Sequence, residues 1–171
     1  MYQLAPVLPP HLPPIVRLEG HEEYAERELR GKICVLANAD IHFDETLKSL
    51  QHLDMNRRAF ALSRHDLTTD GLVPIPPIFR SNSQDAWIWK SPLTAADDLW
   101  LQSVDFKIGK AGCDNRFAHC LRACALHVSN PLFQIVLHHV HQTPTRSYVP
   151  HGHDHIPGPY ASVDPVLFVS K

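Results

Sequence analysis

The chain lacks any apolar run near the roughly 18 residues that a membrane-crossing helix needs, so no segment reads as transmembrane. Its N-terminus lacks a basic stretch followed by an apolar one, and no signal peptide is expected. It has no excess of one charge: 16 Lys and Arg stand against 18 Asp and Glu, a formal net charge of −2. That removes the electrostatic case for binding nucleic acid or an anionic membrane surface. Paired CxxC spacing is absent. The four cysteines, at 34, 113, 120 and 124, read as buried free thiols of a reducing compartment rather than as disulfides or a zinc site, and a cytoplasmic location is expected. No internal repeat is present.

What remains is ordinary globular material, 171 residues with 44% hydrophobic and 20% charged, enough for one domain with a real core. Two residue types are over-used, with 13 histidines and 15 prolines. Prolines crowd the first 18 residues, which read as an extended arm, and histidines crowd the end, where His151, His153 and His155 suggest a His- and Pro-rich tail. The domain proper is expected over residues 21–150, between an arm at 1–20 and a tail at 151–171.

Apolar patterning gives an alternation of strands and helices, hence an α/β fold with a mixed sheet flanked by helices. A helix is expected over 21–30, closed by Gly31, and a strand buried on both faces over 33–37. A helix opening at Asp44-Glu45-Thr46, a strand over 59–63, and a loop over 67–82 follow, then a strand over 85–90. A short helix near 95–101, a helix over 113–125, a strand over 128–137 interrupted early by Asn130-Pro131, and an edge strand over 166–169 complete the list.

Three polar clusters stand at expected strand ends or at a helix start: Asn38 and Asp40, Asp114 with Asn115 and Arg116, and His139 with His141. In open α/β sheets ligands sit beyond the carboxyl ends of the strands. Carboxylates and an imidazole there suit Mg2+ or Mn2+ holding an anionic ligand, the imidazole favouring Mn2+. Each cluster also has a plain structural reading. Asp40 could cap the following helix, Asp114 could cap its own, and one of the histidines could belong to the core. A helix N-terminus favours the ionised carboxylate, so Asp114 serves as a base only if it is desolvated. Lys110, in the glycine-bearing loop before that helix, could meet a diphosphate.

Read in order, LANADI, a strand running into SRHD, SQDAWIWK, KIGKAGCDNR and HHVHQTPTRSY resemble a group of bacterial and large-virus glycosyltransferases of the GT-A type. That family's patterns are LANSDIYFD, L-x-R-W/H-D, SQD-x-WIF, G-x-PGCDNRIAY and H-x-H-x-S-x-x-R-x-Y. The likeness spans about residues 24 to 148, and the CDNR block is its most specific part. It implies a GT-A-like (Rossmann-like) fold and transfer of a sugar from a nucleotide-sugar donor to a hydroxyl of a glycan or other acceptor, with Mn2+ or Mg2+ as cofactor. By position it implies Asp40, His141 and His139 as metal ligands, His141 being favoured. Asp114 would be the catalytic base, with Asn38, Arg146, Tyr148 and Lys110 toward the donor. Ser83, Gln84, Asp85, Asn115 and Arg116 would line the substrate pocket.

The departures from the family are also in the sequence. Only 37 residues precede Asn38, so part of the N-terminal nucleotide-binding unit is expected to be missing. His65 stands where many members carry an aromatic residue, and Gln142-Thr143-Pro144-Thr145 replaces the usual serine segment. A degenerate or non-catalytic binding module on the same fold is therefore the alternative, and a metallohydrolase built on His139-Val140-His141 a weaker one. The sequence leaves the oligomeric state open.

Overall fold

The computed structural model describes residues 15–16, 21–93, 102–140 and 155–167. The chain is mixed α/β, with two mixed sheets and few helices among these residues. The strands are β1 (Ile15–Val16), β2 (Ile33–Ala37), β3 (Ile41–Phe43), β4 (Arg58–Leu62), β5 (His65–Thr68), β6 (Gly71–Pro74), β7 (Ala86–Lys90), β8 (His127–Ser129) and β9 (Leu137–His139). The helices are α1 (His21–Glu28), a 3₁₀ helix (Glu45–His52), α2 (Pro77–Arg80) and α3 (Cys113–Ala123).

The central sheet has the order β1-β2-β7-β4-β8. Its three middle strands are apolar runs buried on both faces. Side chains alternate across a strand, and the two faces feed separate clusters. Cys34, Leu36, Ala59, Ala61, Trp87 and Trp89 meet Ala25 of α1 and Phe117, Ala118 and Leu121 of α3. On the opposite face Val35, Ala37, Phe60, Leu62, Ala86 and Ile88 meet Leu47 and Leu50 of the 3₁₀ helix, together with Ile135 and Leu137. Each of the large side chains so buried contributes about 1.5–3 kcal/mol relative to an exposed one. β7 runs antiparallel to both β2 and β4, so those two strands run the same way. Their carboxyl ends lie at one edge of the sheet, beside the start of β7.

The smaller sheet has the order β3-β9-β5-β6 and stands beyond that edge. The chain passes from the central sheet to the smaller one through Ser63 and Arg64 alone, between β4 and β5. A second passage, Asn38 to Asp40, joins β2 to β3. The polar residues at these two passages are thereby held between the sheets.

Several expectations change. The loop expected over 67–82 holds the β5–β6 hairpin and α2; its Thr, Gly and Pro content hid four residue pairs in register, from His65 opposite Pro74 to Thr68 opposite Gly71. The strand expected over 128–137 is two strands in different sheets. Fully buried Asn130 ends β8, and a turn in which the Gln134 and Ile135 amides donate to the Pro131 carbonyl separates it from β9. Within the arm expected to be extended, Ile15–Val16 pairs parallel with Val35 and Leu36. Residues 155–167 are docked rather than a free tail: Ala161 and Val163 are buried, and the amides of Ile156, Ala161 and Val163 donate to the Ala111, Asn115 and Ser81 carbonyls. Pro165 bridges Asn130 where an edge strand over 166–169 was expected, and residues 168–169 lie outside the described residues, as does the helix expected near 95–101. The helix after β3 is 3₁₀, and its cap is Asp44, which accepts from the Thr46 amide at 2.9 Å. Asp40 therefore does not cap it.

Candidate functional site

The edge where β2 and β4 end carries a continuous polar chain. Asp85, the residue before β7, is fixed by its backbone: the Asn38 amide donates to its carbonyl at 2.9 Å, and its own amide donates to the Leu62 carbonyl at 2.8 Å. Its carboxylate accepts from Asn38 Nδ2 at 3.1 Å and from Arg64 Nη1 at 3.2 and 3.3 Å. Arg64 Nε donates to Asp66 Oδ1 at 2.8 Å. Asp66 lies opposite His139 in the β5–β9 register, with His139 Nδ1 2.9 Å from Asp66 Oδ1. His139 Nε2 lies 3.1 Å from Asp40 Oδ2. The Val140 amide donates to the Asp40 carbonyl at 3.1 Å, tying the Asp40 turn to the end of β9.

Asp114 enters from the helix side. It sits in the first turn of α3, whose start is Gly112 in a left-handed conformation (φ 87°) with no side-chain cap. Phe117, three residues on, stacks against Trp87 with ring centroids 5.1 Å apart. Burial and the neighbouring Asp85 carboxylate push Asp114 up to about 7, against the pull of the Cys113 thiol, which donates to Oδ1 at 3.0 Å. The desolvation on which a base at a helix N-terminus depends is thus present.

The charges along the chain are unequal. Burial raises Asp85 above the usual carboxylate range despite Arg64 and Asn38. Burial opposes the Arg64 charge, but Asp85 and Asp66 more than restore it. Burial likewise opposes the Asp66 charge, and contacts with Arg64 and His139 hold it below its ordinary range.

The structure links Asn38, Asp40, Asp85 and His139 in this chain of contacts, and Asp114 feels the Asp85 charge without a hydrogen bond to it among the contacts described. Other expected site residues stand apart from this chain of contacts. Asn115 Nδ2 donates to Asn82 Oδ1 at 3.2 Å, and Arg116 Nη1 reaches the Pro159 carbonyl at 3.4 Å, so both hold the docked 155–167 segment and its neighbours. Gln84 is fully buried and donates to the Ser81 carbonyl, while Ser83 is half-buried. Half-buried Lys110 closes the turn before α3 by accepting, at its carbonyl, from the Cys113 amide. His141, Arg146 and Tyr148 lie outside the described residues. Arg64 and Asp66 are the residues that sequence reasoning missed. Their signal was an Arg-His-Asp run at the end of a fully apolar strand, where two charges have no structural use unless paired.

A second polar group lies on the opposite face of the smaller sheet. His42, His138 and His65 are register neighbours across β3, β9 and β5. His138 Nε2 lies 2.8 Å from the capping Asp44. All four cysteines are free and buried. Among the described residues no group of three or more His, Cys, Asp or Glu side chains is disposed to hold a metal, and no helix is long and apolar enough to cross a membrane. Comparison with protein-family models, curated proteins and solved structures gives no match to this chain.

Proposed function

We propose that the chain is a metal-dependent glycosyltransferase with a GT-A-like fold, moving a sugar from a nucleotide-sugar donor to an acceptor hydroxyl. The observation that supports this reading is the chain of contacts from Asp40 through His139, Asp66 and Arg64 to Asp85 beyond the carboxyl ends of β2 and β4, with Asp114, pushed up to about 7, at the start of α3. Donor-side chemistry belongs to the Asp40–His139 end, and proton transfer to the Asp114 end.

The residues at the first end fit a divalent cation. Asp66 engages His139 Nδ1 and aims Nε2 at Asp40, the carboxylate–imidazole arrangement that orients a metal-binding histidine. Asp40 Oδ2 and His139 Nε2, 3.1 Å apart, would hold the cation between them. Two protein ligands suffice where diphosphate oxygens and waters supply the rest. Mn2+ accepts this mixed donor set, and His141 is the further ligand the resemblance suggests. When bound, the cation neutralises charge on the diphosphate leaving group.

At the other end Asp114 takes the proton of the acceptor hydroxyl as its oxygen bonds to the anomeric carbon. The bond from that carbon to the diphosphate oxygen breaks, and its electron pair leaves with the nucleoside diphosphate. A base that titrates near the working pH combines an ionised population with useful proton affinity.

The reading is tested by thermal unfolding with Mn2+ and UDP, GDP or dTDP. One nucleotide is expected to raise the melting temperature only with Mn2+, corresponding to about 2.7 kcal/mol at a hundredfold excess over its Kd. Asp40→Ala is expected to abolish the shift. No shift with any of the three would overturn the reading.

A further inference from the structure

Arg64 ties the two sheets together through one guanidinium. It lies on the passage from β4 to β5 and donates in two directions, Nη1 to both oxygens of Asp85 at 3.3 and 3.2 Å and Nε to Asp66 Oδ1 at 2.8 Å. The two carboxylates are held with different firmness. Asp85 belongs to the central sheet: its backbone is bonded to Leu62 and Asn38, its carboxylate also accepts from Asn38 Nδ2, and its side chain is 8% exposed. Asp66 belongs to the smaller sheet, and its side chain is 38% exposed, so water competes for it. An ion pair that exposed orders little by itself. Here the cation of the pair is anchored from behind, because Arg64 is also gripped by buried Asp85. The Asp66 oxygen that takes Arg64 Nε is the one that lies 2.9 Å from His139 Nδ1. Arg64 thus sets which oxygen of Asp66 faces the imidazole, and from what direction.

We propose that Arg64 is a positioning residue: anchored by Asp85, it fixes Asp66 and, through it, the tautomer and aim of His139. A proton on Nδ1, donated to Asp66, leaves the Nε2 lone pair toward Asp40, 3.1 Å away. The inference rests on reading Asp40 and His139 as the cation end of the site, and Arg64 touches neither the cation nor the reacting atoms. Lysine does not replace it. An ammonium is a point charge, whereas this contact uses two nitrogens of one rigid plane to reach two carboxylates. A role through charge alone has the opposite sign, since removing a positive charge near the cation would strengthen cation binding. The geometry favours positioning, because Asp66 stands between Arg64 and His139 and its own charge opposes that of Arg64.

The test uses the full chain and two readouts. In the first, long-range 15N NMR reads the ring nitrogens of His139 without metal at about pH 9, above the ordinary histidine range, with the signals assigned by their loss in His139→Gln. The parent is expected to carry its proton on Nδ1, and Arg64→Gln and Arg64→Lys to populate both tautomers. In the second, electron paramagnetic resonance follows a titration with Mn2+ alone, and both variants are expected to bind it about tenfold or more weakly than the parent. A merely structural role would lower stability in the folded variants and leave the ring nitrogens unchanged. A parent proton on Nε2, an unchanged ring in folded Arg64→Lys, or variants that bind Mn2+ as tightly as a Mn2+-binding parent would overturn the proposal. Loss of Arg64 alone leaves buried Asp85 unpaired. If the single variants fail to fold, the double variant Arg64→Gln, Asp85→Asn decides, and a parent-like ring in it would overturn the proposal. The ring measurement needs neither metal nor nucleotide. A parent that binds no Mn2+ therefore counts against the transferase reading, while the tautomer decides the role of Arg64.

Discussion

At the scale of single residues, Gly112 shows how tightly the start of α3 is fitted. Its φ of 87° suits glycine. A Cβ there would lie 2.7 Å from His155 Cε1 and 2.9 Å from the Ile156 carbonyl oxygen. Gly112→Ala is expected to cost about 1–3 kcal/mol through the strained backbone and the clash together, read as a lower urea midpoint with unchanged slope. A loss below 0.5 kcal/mol would show that the 155–167 segment is not seated there. The glycine was legible in the sequence as part of the turn before CDNR, but the reason for it was not. Its neighbour comes from more than 40 residues downstream, and such contacts leave no periodic trace.

At the scale of elements, the 3₁₀ helix depends on Asp44. The carboxylate accepts from Thr46 and faces His138, and these contacts hold it below its ordinary range despite burial. Asp44→Ala is expected to cost about 1 kcal/mol near neutrality. A depressed folded-state value contributes stability above the unfolded carboxylate range, and that contribution is lost as the pH falls through the folded value. The difference between variant and parent, followed by urea unfolding, is therefore expected to shrink below a pH of about 4. A difference that does not change with pH would contradict this assignment. The apolar strands β2, β4 and β7 were legible because a strand buried on both faces needs an uninterrupted apolar run. The short strands β5, β6, β8 and β9 were not. With three or four residues each and no long apolar run, they are defined by their neighbours, and Asn130 divides what reads as one apolar stretch between two sheets.

At the scale of the whole molecule, several buried carboxyls set the dependence of stability on pH. Burial raises Glu26, which accepts from the Leu93 amide and Trp89 Nε1, and burial also raises Asp85 and Asp114. Groups raised in the folded state bind protons more tightly there than in the unfolded chain. The carboxyl contribution to stability is therefore expected to increase as the pH falls from about 7, the Asp114 value, toward the unfolded carboxylate range, opposed by His65, which burial holds below its ordinary range. One proton corresponds to about 1.4 kcal/mol per pH unit in that interval. Further acid then removes the contributions of Asp44 and Asp66. Asp114→Asn is expected to remove that contribution in metal-free urea unfolding, and a variant whose stability follows pH as the parent's does would contradict it. The mixed α/β architecture, the strand end bearing Asn38 and Asp40 and the helix start bearing Asp114 were readable from the sequence. The link between them was not, because Arg64 and Asp66 meet their partners only where two sheets adjoin.

The central claim is that Asp40 and His139 form the cation end of a nucleotide-sugar site. Its most direct test is anomalous diffraction at the manganese edge from crystals grown with Mn2+ and the nucleoside diphosphate that stabilises the protein. A Mn2+ peak bonded to Asp40 and His139, shared with the diphosphate and absent in Asp40→Ala, is expected. Manganese found only at Asp44 and His138, or only on the histidines after residue 150, would contradict it.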